Sequence, residues 1–589
     1  MLQFLKYVLA TIVGLAVFAL VTVLVLIGIA SLAGSRGSDV TVEENSILKL
    51  DLNKPFTEYD NKDNPLAELG GPFAKQTVIG LVQVKEAIAN AKLDPKIKGI
   101  YLVANRPGGG WAVTEEIRGA LADFRKSGKF VYSYGETYSE SGYYLSSVAD
   151  KIYVNPAGGV DFNGLSAEYE FYKGALDKLD IKPVVFRVGS YKSAVEPFIR
   201  ENMSDESRKQ TGSFLHSIYD QVLTDISESR KVPVARLKTI ADSLLADEPA
   251  DALRNKIVTN VGYYDEFDSD LRKAVKVDKD AKLRLVSLDS YLKAPKQIKS
   301  PNSDNKIAVI VAEGAIVDGD DDSDDQVASE KTAAEIRRAR KDKNVKAIVL
   351  RINSPGGSGL ASEVMWREIQ LAREQKPVIA SMSNYAASGG YYLAMGCNKI
   401  VAQPTTITGS IGVFSLLFRI DEFTKNKLGI TFDRVTTNAH SDSPTLTREM
   451  DAFEKAQFQK STDRFYDVFT TKAAKGRNMP VEKLRELAGG RVWSGTEAKQ
   501  NGLVDELGNL DKAIELAAKE AKLKEGDYRV RYPAKKDFFQ SFFDKAQDEQ
   551  EAYAMKSAFG DLVPYVQKLK KLQTMQGIQA RLPYELVIR

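Results

Sequence analysis

Short apolar runs and longer segments of helical periodicity alternate along most of this chain. "SILKLDLN" (46–53) reads as a strand, and from about residue 76 strand-like and helix-like stretches take turns. "GIYLVA" (99–104) and "AIVLRI" (347–352) are mainly apolar runs of strand length. Each is followed by a proline-glycine turn and then a helical pattern. This rhythm predicts an α/β fold of βαβ units around buried parallel strands.

The two runs belong to an internal repeat. Pro107-Gly108-Gly109 matches Pro355-Gly356-Gly357 at an offset of 355 − 107 = 248 residues. The same offset, without gaps, sets Asn105 on Asn353, Glu115 on Glu363 and Ser133 on Ser381. It also sets Gly142-Tyr143-Tyr144-Leu145 on Gly390-Tyr391-Tyr392-Leu393, and Gly164 on Gly412. Pro233-Val234 and Pro480-Val481 agree after a slip of one residue. Generic strand-turn-helix grammar does not hold one register this long, so the body is a duplicated domain. The copies are expected at 45–267 and 306–525, with a linker at 268–305 that includes "KAPKQIKSPNSDN". A charged helical extension is expected over 526–589. "DGDDDSDDQ" (318–326) lacks the spaced glycine and closing glutamate of a calcium loop and reads as a solvated acidic loop.

The amino-terminal pattern is different. No residue from Tyr7 to Ser35 is charged, and Val8 to Leu32 is nearly all apolar. At 1.5 Å per residue such a helix crosses a bilayer core of about 30 Å. It is longer than the apolar region of a cleavable signal peptide, roughly 7–15 residues. Residues 1–36 are therefore expected to be a retained membrane anchor. The Lys/Arg balance around it weakly favours an outward-facing body. Composition adds exclusions. A net charge of 82 − 79 = +3 leaves no basic footprint for nucleic acid. The single cysteine, Cys397, excludes an intramolecular disulfide and most thiolate metal chemistry.

The copies differ where chemistry is at stake. "AASGGYY" places Ser388 in a small-residue turn, while the first copy has Glu140 there and Ser141 in place of Gly389. Downstream the asymmetry reverses. "GSYKSAVEPF" (189–198) has Lys192 among apolar residues, and the second copy has His440 in a polar stretch. Burial lowers the pKa of a lysine, and a neutral amine can act as a general base. A serine–lysine pair is an alternative to Ser-His-Asp. On composition alone Lys192 would be a surface lysine; the asymmetry of the repeat favours the base. Gly356 and Gly357, at a strand–helix turn, are candidate oxyanion donors together with the amide of Ser388 or Gly389. Ser410 replaces Phe162 of the first copy and is either a lysine-orienting hydroxyl or a plain turn serine.

"AIVLRINSPGGS", "AASGGYYLA", "TTITGSIGVF" and "GSYKSAVEPF", with the anchor and the duplication, resemble the long form of the signal peptide peptidase A (protease IV) family. The resemblance spans nearly the whole chain. It implies tandem Clp protease/crotonase-like domains of repeated ββα units behind one transmembrane helix. It also implies a homotetramer in the bacterial inner membrane, with the catalytic body on the periplasmic side. The implied activity is serine endopeptidase cleavage of signal peptides left in the membrane, without metal or cofactor. Matched by motif, Ser388 is the nucleophile, Lys192 the base, Gly356 and Gly357 the oxyanion glycines, and Ser410 a serine near the lysine. Two other readings are a crotonase-like acyl-CoA enzyme and a non-catalytic membrane scaffold. The anchor and the Ser/Lys asymmetry argue against the first. The survival of both Ser388 and Lys192 argues against the second.

Overall fold

The computed structural model describes residues 41–60, 78–320, 326–534, 577–582 and 587–588, with scattered positions in 3–21 and 555–563. The expected anchor and the expected C-terminal helices fall largely outside the described residues, as does the centre of the acidic loop. Among the described residues no helix is long and apolar enough to cross a membrane.

The first copy is built on β1 (Ser46–Asp51), β2 (Ile97–Val103), α1 (Trp111–Arg125), β3 (Phe130–Tyr138), α2 (Glu140–Ser146) and β4 (Lys151–Val160). Then come β5 (Lys182–Val188), α3 (Asp205–Arg230), β6 (Asn260–Val261) and β7 (Leu285–Ser287). Its sheet has the order β7-β1-β2-β3-β4-β6 and is parallel throughout. The apolar run of β2 explains its place: Ile100 and Leu102 are fully buried near the middle of that sheet.

The second copy repeats the plan. Its elements are β8 (Lys306–Glu313), β9 (Val345–Ser354), β10 (Gly356–Ser358), α4 (Gly359–Arg373), β11 (Val378–Ala387) and α5 (Gly389–Ala394). They continue with β12 (Ile407–Gly409), β13 (Val413–Arg419), α6 (Ala452–Arg477), β14 (Val492–Ser494), β15 (Arg529–Arg531) and β16 (Gln579–Arg581). The main sheet runs β14-β12-β11-β9-β8-β15. Helix α4 follows α1 at the sequence offset at both ends, 359 − 111 = 373 − 125 = 248. Helix α6 follows α3 at 452 − 205 = 477 − 230 = 247, the slipped register. Both long helices end in a left-handed cap, Lys231 and Asn478. The repeat in sequence is thus a repeat in structure.

The expected linker is more structured than its Lys/Asp-rich composition suggests. It holds β7, which pairs Leu285 with Ile47, and a short helix, Leu288–Lys293, with Leu288 and Tyr291 buried. A few apolar residues among the charges suffice to extend the first sheet by an edge strand. At the other end of the chain, described residues of 526–589 form strands β15, β16 and Val587–Ile588, and the expected helical extension lies largely outside the described residues.

A third sheet joins the copies. Its order includes β10, β16, β13 and β5, so one of its strands comes from the first copy. β5 pairs antiparallel with β13 over seven residues, from Val188↔Val413 to Lys182↔Arg419. A buried charge cluster makes a second tie. Arg351 on β9 lies 2.7 Å from Glu58 and 2.9 Å from Glu116, all three side chains almost fully buried. Lys85 reaches the other oxygen of Glu116 at 2.6 Å. Burial pushes the Glu116 carboxyl up, but Arg351 and Lys85 outweigh that and hold it down at about 2. Removing one member of a buried ion network leaves uncompensated charge, at a cost of about 3–5 kcal/mol. Arg351→Ala is therefore expected to lower the midpoint of urea denaturation sharply. An unchanged midpoint would show that the cluster does not hold the copies together.

Candidate active site

Ser388 sits where β11 ends and α5 begins. Its backbone is in an unusual region, φ 54° and ψ −109°. A non-glycine residue there is strained, and the surrounding structure must hold it. Its N–H donates to the Gly409 carbonyl at 2.8 Å, which anchors the turn to β12. The glycines after it explain the local sequence. A Cβ on Gly390 would stand 2.7 Å from the Ser354 carbonyl, so the turn packs too closely on β9 for any side chain.

Lys192 arrives from the other copy. It follows β5, and the β5–β13 pairing carries the chain directly over the second copy. The Tyr191 N–H donates to the Gly489 carbonyl at 3.0 Å. Gly490 presses on the lysine backbone, where a Cβ would stand 2.6 Å from the Lys192 nitrogen. Val492 donates to Gln210 Oε1, and Gln210 Nε2 donates to the Tyr191 carbonyl, so α3 fixes the same loop.

The two side chains meet. Lys192 Nζ is 2.8 Å from Ser388 Oγ, 3.0 Å from Ser410 Oγ and 3.2 Å from the Ser410 carbonyl. All three residues are fully buried. Burial alone drives the Lys192 amine well below the ordinary lysine range, with no carboxylate opposing it. A neutral amine has two N–H donors and one lone pair. The two Ser410 oxygens can accept from the amine, and Ser388 Oγ, which also donates to the Gly412 carbonyl at 3.3 Å, lies within reach of Nζ. A buried neutral amine beside a hydroxyl is the arrangement that general-base activation requires.

The predicted glycines lie close by. Gly356 has φ 98°, a left-handed conformation that favours glycine. A Cβ on it would stand 2.8 Å from the Gly389 nitrogen, so these two backbones share one small space. Gly357 faces the C-terminal strand, since β10 pairs with β16 as Gly356↔Arg581 and Gly357↔Ala580. The Ala580 carbonyl lies against Gly356 and Gly389. The chain's own tail thus lies along the edge beside Ser388. Nothing in the C-terminal sequence pattern indicated it. Nor did reading the sequence single out Gly489-Gly490, although a glycine pair between two patterned segments was a usable signal.

The first copy keeps the shape of this site and not its chemistry. Glu140 stands at the serine position, buried, with Oε2 accepting from the N–H groups of Asn163 and Gly164. Burial pushes its carboxyl up to about 7. Gly108 is not left-handed and instead bridges Pro55, so the turn has lost the Gly356 conformation. A cavity of about 640 Å³ remains, lined in part by Gly109, Glu140, Ser141 and Ser166. Neither histidine approaches Ser388. His216 Nδ1 faces the Gly212 carbonyl on α3, and His440 lies near Asp451 and Glu454.

The family model "Peptidase family S49" matches residues 123–278 and 370–524, once in each copy. "Protease 4" of Haemophilus influenzae is 38% identical over 517 residues, covering 84% of this chain and 82% of its own length. "Protease 4" of Salmonella typhi is 37% identical and covers 87% and 84%. "Serine protease SPPA, chloroplastic" of Arabidopsis thaliana is 34% identical and covers 76% and 66%. Among solved structures, a mutant ClpP1 from Listeria monocytogenes has 16% identity and a TM-score of 0.24, covering 35% of this chain and 94% of its own. The class is therefore a serine endopeptidase built from a duplicated α/β domain. The chain belongs to peptidase family S49.

Proposed function

We propose that this chain is a membrane-anchored endopeptidase that degrades cleaved signal peptides and other hydrophobic peptides with a Ser388–Lys192 dyad. The contact between Lys192 Nζ and Ser388 Oγ at 2.8 Å, buried and without a competing carboxylate, carries this reading. The apolar stretch Val8–Leu32 supports an anchor in the bacterial inner membrane, with the body on the periplasmic side. The duplicated domains fit the Clp/crotonase class, and the resemblance to signal peptide peptidase A supports a homotetramer.

In this mechanism the Ser388 hydroxyl gives its proton to Lys192 as Oγ bonds to the substrate carbonyl carbon. The carbonyl oxygen takes up the negative charge, and backbone N–H groups at Gly356, Gly357 and Gly389 receive it. Lys192 then passes the proton to the leaving amine, which departs and leaves an acyl-serine. Water, deprotonated by Lys192, releases the acid and restores the serine. Ser410 holds the amine so that its lone pair faces Ser388. A substrate strand would take the edge of β10 that β16 occupies here.

Because the base is the neutral amine, activity rises with pH through the depressed Lys192 pKa. It reaches its plateau below the range where an ordinary lysine titrates. The test is hydrolysis of a synthetic signal peptide of about 20 residues by the full chain in detergent, followed by mass spectrometry across pH. A polar peptide of equal length is the control. Equal cleavage of both peptides, or a rate that falls with rising pH, would overturn the proposal. Gly356→Ala is expected to lower kcat by about a hundredfold, the usual loss on displacing an oxyanion donor. Its Cβ would collide with the Ala580 carbonyl and demand an unfavourable φ. Unchanged single-turnover rates would remove Gly356 from the oxyanion site.

A further inference from the structure

The dyad makes no use of the cavity at Glu140. In the repeat Glu140 stands at the place of Ser388, and Ser388 Oγ lies 2.8 Å from a lysine amine. That lysine, Lys192, reaches the second copy from the first. Adding the offset to it gives 192 + 248 = 440, and His440 lies instead near Asp451 and Glu454. The second copy therefore returns no lysine to Glu140. Among the described residues, the groups acting on the Glu140 carboxyl are the N–H groups of Asn163 and Gly164 and the like charge of Asp161, with no cation.

The side chain is held in place but only half satisfied. Oε2 accepts from the Asn163 N–H at 2.8 Å and the Gly164 N–H at 3.2 Å. Oε1 is buried and has no hydrogen-bond partner, and the residue as a whole is 6% exposed. A buried acceptor without a donor is costly, and the two N–H groups keep this carboxyl from swinging out to water. The walls suit a group with an apolar stem and a cationic tip. Trp111, Ile218, Tyr385 and Ile407 supply apolar surface, and Glu140 and Asp161 supply negative charge. Among the described residues the one cation on the wall is Arg106, which is 80% exposed and 4.0 Å from Asp161. A lysine side chain packs its methylenes on apolar surface and presents three N–H donors at its tip.

We propose that this cavity is a second binding site, which takes the primary ammonium group of a peptide with Glu140 Oε1 as its acceptor. The copy without a nucleophile then receives from a ligand the amine that the other copy receives from its own chain. The ammonium has two sources, a lysine side chain or a free amino terminus, and the apolar wall favours the lysine. Asn384 and Tyr385 also line the cavity, and they lie on β11 four and three residues before Ser388. At about 3.3 Å per residue, Tyr385 is about 10 Å from the nucleophile along that strand. The site therefore holds a peptide beside the strand that leads to Ser388. The proposal rests on the peptide-cleaving reading for the identity of its ligand, while the geometry of the cavity is independent of the dyad.

The test is isothermal titration calorimetry of the full chain in detergent with three probes. They are Nα-acetyl-lysine methylamide, Nα-acetyl-norleucine methylamide, and norleucine methylamide with its α-amine free. The wild type is expected to bind the lysine probe at least about tenfold more tightly than the acetylated norleucine probe, the gain from a hydrogen bond between charged groups. The same gain with the free α-amine probe instead supports the site with the peptide terminus as its ligand. Glu140→Gln is expected to abolish the preference. Glutamine keeps an oxygen for Asn163 and Gly164 and puts an NH₂ where Oε1 stands. If Glu140→Gln unfolds by circular dichroism, Ser166→Trp at the exposed rim of the cavity crowds the site and takes its place. Equal binding of all three probes, or a preference that survives these substitutions, overturns the site and leaves the dyad intact. A wild type that keeps the preference but cleaves no peptide overturns the dyad and leaves the site intact.

Discussion

Ser388→Ala is expected to reduce kcat/KM for a hydrophobic peptide by at least about 10⁴-fold, with KM little changed, because loss of a nucleophile removes the acyl-serine route entirely. The substitution isolates chemistry from folding. Alanine keeps the Cβ, so the strained φ of 54° costs no more than before. The hydroxyl it removes is fully buried and contacts Lys192 and the Gly412 carbonyl. A serine-reactive probe that labels the wild type should fail to label this variant. Cleavage at the wild-type rate, with labelling intact, would place the nucleophile elsewhere.

The second large effect concerns the base. Lys192→Met and Lys192→Arg are both expected to lower kcat by about 10²–10⁴-fold, the usual contribution of a positioned general base. The pair separates two roles for the lysine. Methionine has similar length and no basic lone pair. Arginine keeps the cation but does not give up its proton. If Lys192 worked as a positive charge, arginine would recover much of the rate. A neutral base predicts no recovery, and it predicts loss of the rising pH limb in both variants. Arginine also buries a charge where the wild type buries a neutral amine, so its thermal unfolding midpoint should fall below that of Lys192→Met. Substantial activity in the arginine variant would refute the neutral-amine mechanism.

Much of this architecture was legible in the amino-acid order. The repeat announced itself through Pro-Gly-Gly and Gly-Tyr-Tyr-Leu, and helices α1 and α4 obey its offset at both ends. Such patterns are local: burial on a parallel sheet dictates apolar runs, and tight turns dictate glycines. The comparison of copies also singled out Ser388 and Lys192, since each is missing from the other half. The region 268–305 was harder. Its charges resembled a linker, yet Leu285, Leu288 and Tyr291 were enough to fix a strand and a helix. Propensity averaged over a window hides a few residues that tertiary packing puts to use.

The sequence alone determined the duplication and much of the strand and helix pattern of each half, and it nominated two side chains as candidates for chemistry. Tertiary structure decided that those side chains lie 2.8 Å apart, although they are 388 − 192 = 196 residues apart in the chain. That contact depends on β5 crossing to β13, on Gly490 making room for the lysine backbone, and on Ser410 receiving its N–H groups. Pairing between distant strands leaves no periodic trace in either one. Lys192 is depressed by burial, and Ser410, Gly412 and Gly490 of the other copy pack against it, so no segment read by itself could display the shift.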